Sequence, residues 1–191
     1  MTRFAISFIF LMMSIYQSNA QSLSEQPTPG AWPNRVFRWY YSAKGVPNWL
    51  NGEVSRDLFI NAANRWKICG IDVQFMGDTD LLPGKLDGTN VAGWSNQISK
   101  NLRGLTVGKS SSNILIERDI LVQSERTEFL YSRRLLEKVI THEFGHAIGL
   151  THSSRCDDVM SLAANCPKID PEILPINPTE NDLSRCKSIY K

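Results

Sequence analysis

The eleven residues from His142 to His152 constrain the fold of this 191-residue chain more than any other stretch. They read His-Glu-Phe-Gly-His-Ala-Ile-Gly-Leu-Thr-His, which places three histidines, one glutamate and one glycine at fixed spacing. On an α-helix His142 and His146 lie about 40° apart around the axis and one turn apart along it, so both imidazoles can reach one ion. The stretch therefore predicts a helix that carries two metal ligands on one face.

Glu143 and Gly149 complete the chemistry that this spacing indicates. Glu143 follows the first histidine directly, so its carboxylate lies beside the metal and can accept a proton from water without ligating the ion. Gly149 permits the left-handed turn that ends a helix, after which His152 returns as a third ligand. Three imidazoles leave the fourth tetrahedral position of zinc open to water, which is typical of catalytic rather than structural zinc sites.

An ordinary amphipathic helix is the alternative interpretation of a short His-Glu-x-x-His match. The longer pattern argues against it, because all five fixed positions match by chance in about one of 10⁵ chains of this length. The chain also has only three histidines, and all of them fall on the ligand positions. No histidine remains for a second, structural zinc site, so we expect one catalytic ion.

With these residues the chain resembles the metzincin zinc metalloproteases, and among them the matrixin type of the short, secreted bacterial proteases. Ser153 follows the third histidine as in matrixins, and Met160 stands eight residues after His152, at the matrixin spacing of the methionine turn beneath the zinc. A plain core methionine is the alternative for Met160. The resemblance implies an endopeptidase that hydrolyses internal peptide bonds with a zinc-bound water and Glu143 as general base.

The same resemblance implies the α+β fold of a metzincin catalytic domain, with a twisted, mixed five-stranded sheet, an active-site helix and a C-terminal helix. Sequence patterns predict strands over residues 36–41, 71–76, 104–108 and 113–122, and helices over 54–69, 130–148 and 179–190. Residues 77–101 are predicted to be rich in loops. In the family, the strand at 104–108 is the edge strand that pairs with a substrate peptide.

Residues 1–20 have the pattern of a secretory signal peptide, with one early arginine, an apolar stretch and small residues at a cleavage site. Residues 21–33, rich in proline, are expected to form an extended leader, and residues 34–191 the catalytic domain. An uncleaved membrane anchor is the alternative, but the apolar stretch is short for a span. We expect a secreted protein, extracellular or periplasmic, with no membrane association after cleavage.

The charge balance excludes one class of partner. Removing residues 1–20, which contain one arginine and no acid, changes 21 basic and 19 acidic residues to 20 and 19, a net charge of +1. No cluster of lysine and arginine stands out, which argues against a nucleic-acid partner. We expect a monomer that acts on a protein or peptide substrate.

Four cysteines, Cys69, Cys156, Cys166 and Cys186, follow the signal segment. An even number in an exported chain favours disulfide bonds, for which three pairings exist. We prefer Cys156 with Cys166, because they bracket Met160, and Cys69 with Cys186, which would join an early helix to the last one. A thiolate zinc site is the alternative, although no Cys-x-x-Cys spacing supports it.

Two further alternatives concern calcium and function. Asp78, Asp80, Asp87 and Asp119 could ligate calcium, although solvated loop carboxylates are the ordinary interpretation. The chain could instead be a zinc-dependent protein that holds a peptide without cutting it, but the presence of Glu143 argues against this. A hydrolase of cell-wall peptides would use the same chemistry on another substrate. Ser161-Leu162 also follow Met160 where matrixins usually have Tyr-Pro, so the substrate preference stays open.

Overall fold

The computed structural model describes residues 29–162, 166 and 170–191. The predicted signal peptide and residues 21–28 lie outside the described residues. The strands are β1 (Val36–Ser42), β2 (Asp72–Thr79), β3 (Val91–Ser95), β4 (Gly104–Ser111) and β5 (Ile114–Gln123). The helices are α1 (Gly52–Asn64), α2 (Glu128–Tyr131), α3 (Arg133–Ala147) and α4 (Glu180–Ile189).

The five strands form one mixed sheet in the order β2-β1-β3-β5-β4. Strands β1, β2, β3 and β5 pair in parallel, and β4 pairs antiparallel with β5 at one edge. Helix α1 connects β1 to β2, as the return path between two parallel neighbours requires. Helices α1 and α3 pack together, and α3 also contacts β4 and β5. The α+β architecture expected from the sequence is confirmed.

Helix α1 begins with a polar cap and ends earlier than the sequence pattern predicts. The Asn51 side chain accepts hydrogen bonds from the backbone amides of Glu53 and Val54. The helix ends at Asn64, and a 3-10 turn at Lys67–Cys69 continues the chain. Gly70 closes this turn with a φ of 82°, a left-handed conformation that favours glycine.

The single helix predicted over residues 130–148 is divided in two by Ser132. This residue has an extended backbone (φ −142°, ψ 100°), and its hydroxyl accepts a hydrogen bond from the Leu135 amide. The serine thereby caps α3 and separates it from the short α2. Apolar periodicity does not reveal this break, because Phe129 and Leu136 are buried on both sides of it.

Strand β3 lies inside residues 77–101, which the sequence predicts to be rich in loops, and that prediction misses the strand at Val91–Ser95. The strand is short and central, between β1 and β5, and its first four residues are buried. A Cβ atom on Gly93 would lie 2.7 Å from the Ser42 carbonyl oxygen, so close packing of the two strands requires glycine there. Glycine lowers strand propensity, which explains why the pattern was weak.

The residues just before β1 pack against the domain, although the sequence analysis placed residues 31–33 in the leader. Trp32 is buried, and its Nε1 donates to the carbonyl oxygen of Ala147 at 2.8 Å. Ala31 forms an isolated bridge with Ile114. An indole removed from water with its N–H hydrogen-bonded stabilises this attachment to the end of α3.

Two disulfide bonds join Cys69 to Cys186 and Cys156 to Cys166, the pairing preferred from the sequence. The first connects the 3-10 turn after α1 to α4, and the second closes a loop around Met160. Searching the described residues for a helix of the length and apolarity that a membrane span needs finds none.

Candidate metal centre

The three histidines converge at the C-terminal end of α3. His142 and His146 come from consecutive turns of the helix, and His152 comes from the segment after it. The Nε2 atom of His146 lies 3.0 Å from that of His142 and 3.2 Å from that of His152. No other group of three His, Cys, Asp or Glu residues in the described part of the chain brings its ligand atoms together in this way.

Backbone carbonyl groups orient two of the imidazole rings. His142 Nδ1 lies 2.8 Å from the Val159 carbonyl oxygen, and His146 Nδ1 lies 2.7 Å from that of Leu150. A carbonyl oxygen only accepts, so each Nδ1 carries the proton and each Nε2 of a neutral ring presents a lone pair. Two lone pairs at 3.0 Å repel each other unless a cation lies between them.

The donor set and its spacing fit zinc. Tetrahedral coordination at 2.0–2.1 Å places imidazole nitrogens about 3.3 Å apart, close to the two separations observed here. The carbonyl partners of Nδ1 are the outer-shell groups that orient histidine ligands in zinc proteins. His142, His146 and His152 are therefore the residues that could hold the ion.

Burial keeps these imidazoles in the form that a metal needs. It lowers the pKa of His142 well below its usual range and lowers the pKa of His146 to about 3. The pKa of His152 is also lowered, by burial and then by the positive charge of Arg185. All three rings are therefore neutral near pH 7, and a cation need not displace protons from them.

The Glu143 carboxyl lies beside the histidines and faces strand β4. Its side chain is buried, and Thr106 Oγ1 donates to its Oε2 at 2.8 Å. A Cβ atom on Gly104 would lie 2.7 Å from Glu143 Oε1. Any larger residue at position 104 would therefore collide with this oxygen. Burial raises the pKa of Glu143 to about 7, which suits a group that takes up and returns a proton near neutral pH.

Gly149 reverses the chain after α3, and two features of the structure require glycine there. Its φ is 97°, and a Cβ atom would lie 1.9 Å from the Gly30 carbonyl oxygen. The amides of Gly149 and Leu150 donate back to His146 and Gly145, which closes the end of the helix. This turn brings His152 back to its two partners.

Met160 is fully buried under α3. A Cβ atom on Gly145 would lie 2.2 Å from the Met160 sulfur, so the methionine packs against the helix between the first two histidines. Asp182 of α4 accepts hydrogen bonds from the amides of Val159 (2.8 Å) and Met160 (3.4 Å). Helix α4 thus anchors the segment beneath the histidines.

Asp182 also shows what local sequence patterns could and could not reveal. A capping box between Thr179 and Asp182, whose spacing is visible in the sequence, begins α4 with both reciprocal hydrogen bonds. The same carboxylate also holds the methionine segment, more than 20 residues away in the chain. Thr106 and Gly104 also contact Glu143. The sequence alone does not identify them as part of the site, because these contacts are made between residues far apart in the chain.

The acidic residues considered for calcium do not come together. Asp78 pairs with Arg56 at 3.3 Å, and Asp80 pairs with Lys44 at 3.6 Å. The Asp119 carboxylate instead accepts hydrogen bonds from the backbone amides of Gly84 (2.6 Å) and Val91 (2.8 Å). The structure therefore gives the calcium hypothesis no support beyond the sequence.

Comparison with known proteins agrees with this geometry. The family model for matrixins matches residues 57–191, whereas no curated protein matches the chain. A solved structure titled "GM1 bound form of the ECX AB5 holotoxin" has a TM-score of 0.50 and 17% sequence identity, over 82% of this chain and 80% of the other. At that identity the likeness shows the fold alone. Because the matrixin model covers well over half of the sequence and includes all three histidines, the chain belongs to the matrixin family.

Proposed function

We propose that this matrixin is a zinc-dependent endopeptidase in which His142, His146 and His152 hold the ion and Glu143 is the general base. Membership of the family supports peptide hydrolysis and zinc at the family level. The observation that carries the residue assignments is the convergence of three imidazole Nε2 atoms beside one buried carboxyl group.

When bound, zinc polarises the scissile carbonyl group and makes a water molecule more acidic. Glu143 accepts the proton of the attacking water and then delivers it to the nitrogen of the leaving amine. The hydrogen bond from Thr106 to Oε2 holds the carboxylate in place, while Oε1 lies next to Gly104. A pKa of about 7 lets Glu143 do both steps without a large energetic cost in either direction.

The position of β4 supports an extended peptide as the substrate. This strand lies at the edge of the sheet and pairs on one side only with β5. An extended peptide can add to such an edge through backbone hydrogen bonds. Gly104 and Thr106 of β4 both contact Glu143, so a peptide bound along the strand would pass the general base. Such binding leaves both ends free, as cleavage of internal bonds requires.

A direct test is to incubate the purified protein with casein, gelatin and peptidoglycan, with and without a chelator. We expect zinc-dependent cleavage of casein or gelatin that the chelator abolishes and added zinc restores. Release of peptides from peptidoglycan alone would instead identify a cell-wall hydrolase. Zinc-dependent binding of peptides without cleavage would identify a binding protein and contradict the proposal.

We further propose that the protein is exported as a monomer with residues 1–20 removed. The two disulfide bonds support an oxidising compartment, because they rarely persist in the cytosol. Mass spectrometry of the exported protein should find an N-terminus near Gln21, and light scattering should give the mass of one chain. An intact N-terminus in a membrane fraction would contradict the assignment of a cleaved signal peptide.

A further inference from the structure

Lys138 is a buried cation next to the metal centre that the proposed mechanism does not use. It lies on α3 one turn before His142, and its side chain is only 8% exposed. Its Nζ donates to the hydroxyl of Ser161 at 3.1 Å. Within the described residues no carboxylate comes close enough to Nζ to form an ion pair.

This arrangement is costly for an ammonium group. It has three N–H donors, and one neutral hydroxyl satisfies only one of them. Burial lowers the pKa of Lys138, and the charge of Asp182 partly opposes that effect. The Asp182 carboxylate is itself occupied by the amides of Val159 and Thr179. The structure thus holds a buried positive charge whose preferred partner, an anion, is not supplied by the described residues.

The position of this charge places it near a bound peptide. Ser161 directly follows Met160 and forms a bridge with Ser153, the residue after His152. The same segment contacts His142, whose Nδ1 lies 2.8 Å from the carbonyl oxygen of Val159, two residues before Ser161. Lys138 lies about 6 Å along α3 from His142, a separation that one or two residues of an extended peptide span at about 3.3 Å each.

Arg103 and Arg185, two other cations near the metal centre, already have hydrogen-bond partners. Arg103 Nε lies 3.1 Å from Glu128 Oε1, and Arg185 donates to the carbonyl oxygens of Thr151 and His152. Glu128 offsets the charge of Arg103, whereas Arg185 donates to neutral carbonyl groups and adds positive charge beside His152, which favours an anionic ligand. Lys138 is the cation among these three that is most deeply buried, where a charge-assisted hydrogen bond is strongest.

We propose that Lys138 selects substrates that carry a glutamate or aspartate next to the bond that is cut. The substrate carboxylate would accept a hydrogen bond from Nζ and join or displace the Ser161 hydroxyl. This inference rests on the proposed function and adds a specificity-determining residue to it. It predicts that the protein selects its substrate by the negative charge of a side chain beside the cleaved bond, and not by the size of that side chain alone.

The test uses pairs of peptides that are identical except for Glu or Gln at one position adjacent to the cleaved bond. Each flanking position is tested in turn, with the zinc-loaded full-length protein. We expect kcat/KM for the Glu peptide to exceed that for the Gln peptide at least tenfold at one position. Lys138→Met should reduce this ratio to about one, and Lys138→Arg should keep it above one. Lys67→Met, which removes an exposed lysine from the turn after α1, is the matched control and should leave the ratio unchanged.

Equal rates for both peptides in the unaltered protein, at both positions, would overturn the inference. A preference for Glu that survives in Lys138→Met would also overturn it, because another group would then read the charge. Lys138→Gln serves as a second neutral variant if Lys138→Met fails to fold, and thermal melts identify that case.

If the unaltered protein cleaves no peptide, the proposed function fails and the inference is tested by binding. Fluorescence anisotropy of the same labelled peptides with the zinc-loaded protein should then show tighter binding of the Glu peptide. Loss of that difference in Lys138→Met would support the role of Lys138. Equal affinities for the two peptides would contradict it.

Discussion

Two groups of titratable side chains invite comparison, because both consist of residue types that can ligate metals and only one has the geometry of a site. At the end of α3 three imidazole Nε2 atoms face one another, and the carbonyl partners of Nδ1 leave those of His142 and His146 without protons. On β5, the carboxylates of Glu117 and Asp119 instead accept hydrogen bonds from the backbone amides of Gly88, Gly84 and Val91. Lone pairs that converge without donors require a cation, whereas both oxygens of Asp119 and Oε1 of Glu117 already accept hydrogen bonds from amides.

The difference shows that residue type alone does not identify a metal site. Asp119 is more deeply buried than the three histidines, yet its oxygens hold the loop that precedes β3. Lys109 also lies 3.1 Å from Glu117 Oε2, so this pair of acids has a cation supplied by the chain itself. We interpret the two acids as structural residues that hold the backbone before β3 in place, and the three histidines as the functional centre.

The largest effect should come from Glu143→Gln. The amide cannot accept the water proton, so we expect kcat to fall by about 10³-fold while zinc stays bound. Glu117→Gln is the matched control, since it alters a buried acid outside the centre, and its kcat should change by less than about threefold. Peptide hydrolysis and zinc content are measured for both variants. Near-normal turnover in Glu143→Gln would remove the general-base assignment.

The second prediction concerns the acids on β5. Burial raises the pKa of Asp119 from 3.8 to about 6, so the folded state favours the protonated acid. That contribution to stability is fully present below pH 3.8 and is lost as the pH rises through about 6, a change of about 3 kcal/mol. Asparagine does not ionise. Between pH 4 and pH 8, the free energy of unfolding of Asp119→Asn should therefore increase by about 2.4 kcal/mol relative to that of the unaltered protein.

Urea unfolding at pH 4, 6 and 8 measures this difference, and Asp57→Asn on the exposed face of α1 controls for the loss of an acid. A difference between Asp119→Asn and the unaltered protein that does not vary with pH would contradict the structural account. Calcium that raised the melting temperature of the unaltered protein but not of Asp119→Asn would show that these acids do hold a metal.

A smaller effect is expected from Thr106→Val, which removes the hydrogen bond to Glu143 while keeping the shape of the side chain. Loss of one hydrogen bond to a charged group should reduce kcat by about tenfold and leave KM within about twofold. Thr106→Ser keeps the hydroxyl and should restore most of the rate. If the serine variant were as slow as the valine variant, packing rather than the hydrogen bond would explain the loss.

Much of the centre could be predicted from the sequence, because its geometry follows from the helical period. Ligands four residues apart on one helix must share a face, and a glycine at the end of that helix must permit a left-handed turn. The cap at Thr179 was equally local, since its partner Asp182 lies three residues further on. These features need no knowledge of the rest of the fold.

Features that depend on distant contacts could not be predicted in this way. Strand β3 is stabilised by two neighbouring strands rather than by its own propensity, and Trp32 is buried by the end of α3. Thr106 reaches Glu143 across 37 residues of chain, and Lys138 meets Ser161 across 23. No periodic pattern records such pairs, because either partner alone is an ordinary residue of its element.

The central claim is that one cation lies between the three imidazoles, and metal analysis combined with X-ray absorption of the purified protein tests it most directly. We expect one zinc ion per chain with three imidazole nitrogens as ligands, and little zinc in His146→Ala. A folded protein that contains no transition metal and binds none when zinc is added, or a His146→Ala variant that retains zinc in the same environment, would contradict the account.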